Sequence, residues 1–167
     1  KKGRLDGSRV PGSRLHGTTL LHHTPWNRQP DKDHQTMKPE KVQRTPIQIR
    51  FNDIDMLQHV NNAMYVHYCD LARGDYFRHQ TGYYPYFVND VKLLIVVHTE
   101  FDFLVPSLMT DSIFVETRLE KVGERSLHFL HEIVDDKGNL RVRSRCVMST
   151  FDKSTGKSFP LSDVWKF

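Results

Sequence analysis

Cysteine is scarce: Cys69 and Cys146 are the only two in 167 residues, which excludes a disulfide-dense scaffold. Neither stands in a CxxC pair or a Cys/His ligand spacing, so no metal centre is expected. No apolar run approaches the ~18 residues of a membrane helix, so no membrane partner is expected. No GxSxG elbow is present, which argues against a serine hydrolase of that type. Charge of one sign is also short once its placement is considered. The formal +4 comes from 24 Lys and Arg against 20 Asp and Glu. Residues 1–36 hold seven basic residues (Lys1, Lys2, Arg4, Arg9, Arg14, Arg28, Lys32) and three acidic ones (Asp6, Asp31, Asp33), leaving 17 of each from Met37 onward. A nucleic-acid binder carries its basic patch on the folded domain, so no nucleic-acid partner is expected. The cysteine usage suits a reduced, cytoplasmic protein.

What is present divides near residue 36. The first 36 residues hold four Gly, Pro11, Pro25, Pro30 and scattered polar residues, with no helical or strand period. Such a segment cannot bury enough apolar surface to offset its ordering entropy. Met37-Lys38-Pro39-Glu40 reads as a translation start. Residues 1–36 are therefore expected to be a flexible, vector-derived leader and 37–167 the domain, with an organellar transit peptide as the alternative. His22-His23 is too short for a metal site.

From Thr45 the pattern alternates, with Ile47, Ile49 and Phe51 on one side, which predicts a half-buried strand. Residues 52–60 lose the alternation and predict a loop. Asn61 suits a helix N-cap. Beyond it Met64, Tyr65, Tyr68, Leu71, Ala72 and Tyr76 share one face of a helix of about five turns, which Asp75 interrupts without evident reason. Gly82 and Pro85 end it. Four strands follow, Lys92–Leu104, Ser112–Lys121, Arg125–Val134 and Leu140–Phe151. Turns at Gly123, Asp135–Asn139 and Asp152–Lys157 separate or close them. One long helix with an antiparallel run predicts an α+β fold in which the sheet wraps the helix.

The segment Asp53-Ile-Asp55 through His59-Val60-Asn61-Asn62 puts two carboxylates, an imidazole and two amides on a loop entering a helix. The first helical N–H groups have no intrahelical partner, and the helix dipole favours negative charge there. They suit a carbonyl oxygen gaining charge, and a facing carboxylate can attack that carbonyl or activate water. Each residue also has a plainer reading. Asp53 and Asp55 suit Asx turns, and His59 suits a hydrogen bond at the helix entry.

Asp53-Ile-Asp55, His59-Val60-Asn61-Asn62, Tyr65 and Asp70-Leu-Ala-Arg73 are followed by Phe103-Leu-Val-Pro106 with Thr110-Asp111, Arg125-Ser126 and Phe151-Asp152 through Pro160. This ordered set resembles the hotdog-fold acyl thioesterases of the 4-hydroxybenzoyl-CoA thioesterase type, from about Thr45 to Leu161. Thr110 stands where the family has glycine. The resemblance implies hydrolysis of an acyl-CoA or acyl-ACP thioester. Asp55 would be the nucleophile or general base, and the backbone N–H of Asn62 would polarise the carbonyl. The stretch is also similar to acyl-carrier-protein thioesterases, in which an Asn two residues after the Asp cooperates with a His. Here that position is Leu57, so His59 is expected only to orient water, substrate or Asp55. Asn61, Met64 and Tyr65 are the expected substrate-binding residues, with Tyr83, Tyr84, Tyr86 and Phe87 as further acyl-pocket or core candidates. No cofactor is expected beyond coenzyme A as part of the substrate. Cys69 is expected in the core. Arg141, Arg143 and Arg145 share a strand face, either meeting coenzyme A phosphates or facing solvent.

Two other readings stay open, a dehydratase or hydratase on the same fold and a non-catalytic acyl-thioester-binding protein. An open sheet leaves an edge that proteins usually pair or cover. A homodimer or homotetramer is therefore expected, each site combining Asp55 of one subunit with the Asn62 helix end of another.

Overall fold

The computed structural model describes residues 35–36, 41–81, 91–163 and 165–166. Its elements are β1 (Gln35–Thr36), β2 (Gln43–Ile47), α1 (Asn62–Thr81), β3 (Lys92–Phe103), β4 (Ile113–Val122), β5 (Ser126–Asp135), β6 (Leu140–Asp152) and β7 (Trp165–Lys166). β2 to β6 form one antiparallel five-stranded sheet in the order β2-β4-β5-β6-β3, while β1 and β7 pair in parallel apart from it. The turns fall where their residues allow a reversal. Gly138 and Gly156 take φ of 84° and 67°, which side-chain-bearing residues avoid. Before Gly138, the Asp135 carboxylate accepts from the N–H groups of Lys137 and Asn139 at 3.0 and 2.8 Å.

Alternation sends one set of side chains from each strand to the face that α1 covers. Around the second half of α1, Tyr76 and Phe77 pack with Leu119, Leu127, Phe129 and Met148. Around its first half, Tyr65, Tyr68, Cys69 and Ala72 pack with Ile47, Val115, Ile133 and Val142. Burying such side chains contributes about 1.5–3 kcal/mol each, so the sheet and helix stabilise one another. Cys69 is in this core as expected, and burial pushes its thiol up to about 12. In β3 the register against β6 slips between Val96 and His98, leaving Val97 as an extra residue. Leu94 and Val96 therefore share the inner face with Thr99, Phe101 and Phe103, opposite Cys146, Ser144 and Val142.

Three expectations need correction or completion. The first sheet strand ends at Ile47, not Phe51, because its partner β4 begins opposite it at Ile113. Phe51 is 83% exposed and opens a 3-10 turn. Leu71 is 53% exposed, whereas Arg73, charged and off the apolar stripe, is buried against His131 and pairs with Asp70. Asp75 has a reason after all: it accepts from Thr45 Oγ1 at 2.8 Å and Gln43 Nε2 at 3.4 Å, tying α1 to β2. The helix stop at Gly82 and Pro85, the aromatic cluster Tyr83, Tyr84, Tyr86 and Phe87, and the leader through residue 34 with the Met37 start all lie outside the described residues.

His131 is buried on the inner face of β5, its Nδ1 3.0 Å from Thr117 Oγ1 and its Nε2 3.4 Å from Arg73 Nη1. Burial, and then the Arg73 guanidinium, hold its pKa down to about 3, so the folded protein keeps the ring neutral. An unfolded chain protonates this ring below about pH 6.5. Stability is therefore expected to hold above pH 6.5 and to fall as pH drops from there towards 3, with a slope approaching about 1.4 kcal/mol per pH unit. Urea midpoints measured from neutral pH to about pH 5 check this. His131→Gln, which cannot take the proton, should flatten the slope.

Candidate functional site

The loop before α1 is built on a buried carboxylate. Asp53, 1% exposed, closes a 3-10 turn by accepting from the Arg50 backbone N–H at 2.9 Å and from the Tyr68 hydroxyl at 2.7 Å. Burial raises its pKa, but these bonds and the Arg50 guanidinium outweigh it and hold the carboxyl below the usual range. Asp53 therefore braces the loop. Beyond it, Ile54 and Val60 pair as an isolated antiparallel bridge. Between them the chain reverses tightly. Asp55 N–H donates to the His59 carbonyl at 2.9 Å, Gln58 N–H donates to the Asp55 carbonyl at 3.0 Å, and Gln58 takes φ of 61°. This reversal sets Asp55 and His59 across from each other. Asp55 Oδ1 accepts from Leu57 N–H at 2.8 Å, and among the described residues nothing donates to Oδ2.

The helix end is held from two sides. Val60 N–H donates to the Ser107 carbonyl and Asn61 N–H to the Asp53 carbonyl, each at 2.8 Å. Asn61 is the N-cap that its sequence suggested: its Oδ1 accepts from Ala63 N–H at 2.9 Å, and its carbonyl from Met64 N–H at 2.8 Å. Capping thus uses the second and third helical amides. Among the described residues nothing accepts from Asn62 N–H, the first of the helix, which stays free for a ligand with the dipole of a 20-residue helix behind it.

Asp55, His59, Asn61, Asn62 and Tyr65 line one cleft of about 330 Å³. Its other walls are Leu57, Val60, Phe103, Leu104, Val105, Pro106 and Val142. All of these residues belong to one chain. A carboxylate oxygen, an imidazole and a free amide N–H thus border an apolar space. Such a set can polarise a carbonyl and attack it or activate water beside it.

Met64 is not on this cleft; it packs against the core around Tyr65 and Ile47. Tyr65 is on it and nearly buried, with ring centroids 5.9 Å from Tyr68 and 5.7 Å from Phe103. Arg141, Arg143 and Arg145 are ion-paired, with Asp135 and Asp111, with Glu132, and with Glu100 and Glu120 respectively. None of them lines the cleft. The apolar wall at Phe103–Pro106 was not expected as part of a site. Its one sequence signal is an apolar run carried past the strand end into a proline. Among the described residues no group of three His, Cys, Asp or Glu side chains could hold a metal ion, and no helix is long and apolar enough to cross a membrane.

A family model, the thioesterase-like superfamily, matches residues 49–166. No curated protein matches the chain. A thioesterase from Thermus thermophilus, solved with coenzyme A and zinc, is 30% identical, with a TM-score of 0.62 over 71% of this chain and 84% of that one. DHNA-CoA thioesterase from Staphylococcus aureus gives 0.68 at 19% identity, over 73% and 82% of the two chains. A 1,4-dihydroxy-2-naphthoyl-CoA thioesterase from Synechocystis gives 0.67 at 17%, over 75% and 93%. The last two likenesses are of fold.

Proposed function

The chain belongs to the thioesterase-like superfamily, with its hotdog fold and its chemistry of thioester hydrolysis, and from that premise we propose that it hydrolyses an acyl-CoA to the free acid and coenzyme A. One observation carries the reading: the Asp55 carboxylate and the uncapped Asn62 N–H border the same apolar cleft. The acyl group lies along Phe103–Pro106 and its carbonyl oxygen accepts from Asn62 N–H. Asp55 takes a proton from water as the water oxygen bonds to the carbonyl carbon, or attacks that carbon itself. Direct attack gives an acyl–aspartyl anhydride that water then hydrolyses, releasing the acid and restoring the carboxylate. Collapse of the intermediate breaks the C–S bond, and the thiolate leaves with little acid assistance. His59 orients the water or Asp55. The reaction needs no metal or organic cofactor. Coenzyme A is preferred to acyl-carrier protein as the leaving group because the Thermus relative was solved with coenzyme A.

Among the described residues no lysine or arginine lines the cleft and Asp55 does, so a negatively charged acyl group would be desolvated beside a like charge. Neutral aliphatic or aromatic acyl-CoAs are expected to exceed dicarboxylic ones by at least tenfold in kcat/KM. A panel of these thioesters, with an acyl-ACP included, assayed with a thiol-reactive dye checks this. Thioesters that bind without thiol release would favour a binding protein, and water added across an enoyl-CoA would favour a hydratase.

The assembly follows from the edge strand. Among the described residues β3 pairs on one side only, with β6, and carries exposed Ile95, Val96 and Val97. A second copy pairing along β3 would cover that edge, so the working unit is a homodimer, with a dimer of dimers as the larger form. Sedimentation of the assayed sample should show no monomer at micromolar concentration.

A further inference from the structure

Burial does not hold the cleft wall in place. Leu104 and Val105 are 55% and 44% exposed, and the segment from Leu104 to Thr110 has no helix or strand. Arg141 holds it instead. Its backbone carbonyl accepts from the N–H groups of Leu104 and Val105 at 2.9 and 3.0 Å. Its guanidinium donates to the Pro106 carbonyl at 2.8 Å and pairs with Asp111 at 3.4 Å and Asp135 at 3.3 Å. Asp111 in turn accepts from Leu108 N–H at 3.0 Å, so the pair fixes both ends of the loop. Asp135 is anchored in its own turn, chiefly by the Asn139 side chain. The loop then meets the reacting end of the cleft, because the Ser107 carbonyl accepts from Val60 N–H, two residues before Asn62.

We propose that Arg141, which does not line the cleft, is a positioning residue. It sets the spacing between the Leu104–Pro106 wall and the Asn62 N–H, and so determines which acyl groups fit. Arginine suits the task because its planar fork reaches a carbonyl and two carboxylates at once, which an ammonium point charge does not. The proposal rests on the thioesterase reading only for its kinetic arm.

In that arm kcat and KM are measured for straight-chain acyl-CoAs of increasing length with wild type, Arg141→Lys and Arg141→Ala. Arg141→Ala should raise KM about tenfold or more for the best wild-type substrate, change kcat less than about threefold, and flatten the dependence on acyl length. Millimolar guanidinium should restore much of the loss. Unchanged length dependence in folded Arg141→Ala would overturn the proposal. The second arm needs no substrate: amide hydrogen exchange at Leu104, Val105 and Val60 should quicken at least tenfold in the variant, while amides of β4 keep their rates. Equal quickening throughout would mean a general loss of stability and would overturn it, as would no change at all. If Arg141→Ala does not fold, Arg141→Lys carries both arms with smaller changes of the same sign. A wild type that exchanges as expected but hydrolyses no acyl-CoA would fail the functional reading and leave the loop assignment standing.

Discussion

Asp55→Asn and Asp55→Ala are expected to lower kcat by about 10²–10⁴, the usual loss when a positioned acid-base group is removed. The asparagine variant is the sharper test. Its side-chain oxygen can still accept from Leu57 N–H, the bond that Asp55 Oδ1 makes at 2.8 Å, so the turn and the fold should persist while the charge is gone. Asp53, two residues earlier, provides the contrast. It spends its oxygens on Arg50 and Tyr68 inside the loop, so Asp53→Asn should cost stability and much less turnover per folded molecule. Thermal unfolding and stopped-flow kinetics on the same samples separate the two. An Asp55→Asn enzyme that keeps most of its rate on a good substrate would sink the mechanism.

Asn62→Pro is expected to lower kcat by about 10²–10³, the cost of one lost oxyanion donor, while Asn62→Ala stays within about threefold. The position makes proline an unusually clean probe. Asn62 is the first helical residue, where proline is well accommodated because its missing N–H has no helical partner. An N-cap residue typically has the extended conformation that proline asks of its preceding neighbour. Circular dichroism should therefore match wild type in both variants. Equal losses in the two would move the role from the backbone to the side chain.

Much of this architecture was legible in the sequence because local chemistry decides it. Alternation located β3 to β6 to within a residue or two, and Asn61 announced the start of α1. What was not legible depends on neighbours. Ile49 and Phe51 continue the pattern of Ile47, yet the strand stops where β4 has nothing left to pair. Arg73 reads as a surface residue paired with Asp70 one turn before it, until His131 is set against it from elsewhere in the chain. The same applies to the site. Asp55, His59 and the helix end lie within one loop and could be read together. The opposite wall comes from β3 and the loop behind it, some forty residues on, and no local pattern marks it as facing Asp55.

The extra residue at Val97 has a meaning for changes of chain length. A deletion within Val97–Asp102 would normally turn Phe103 away from the cleft and bring a charged neighbour such as Asp102 to face it. Here Val97 can be drawn into the ladder to restore the count, so β3 holds one residue of slack. An insertion in the same stretch would need a second bulge. Shortened versions of this strand should therefore keep their cleft more readily than lengthened ones.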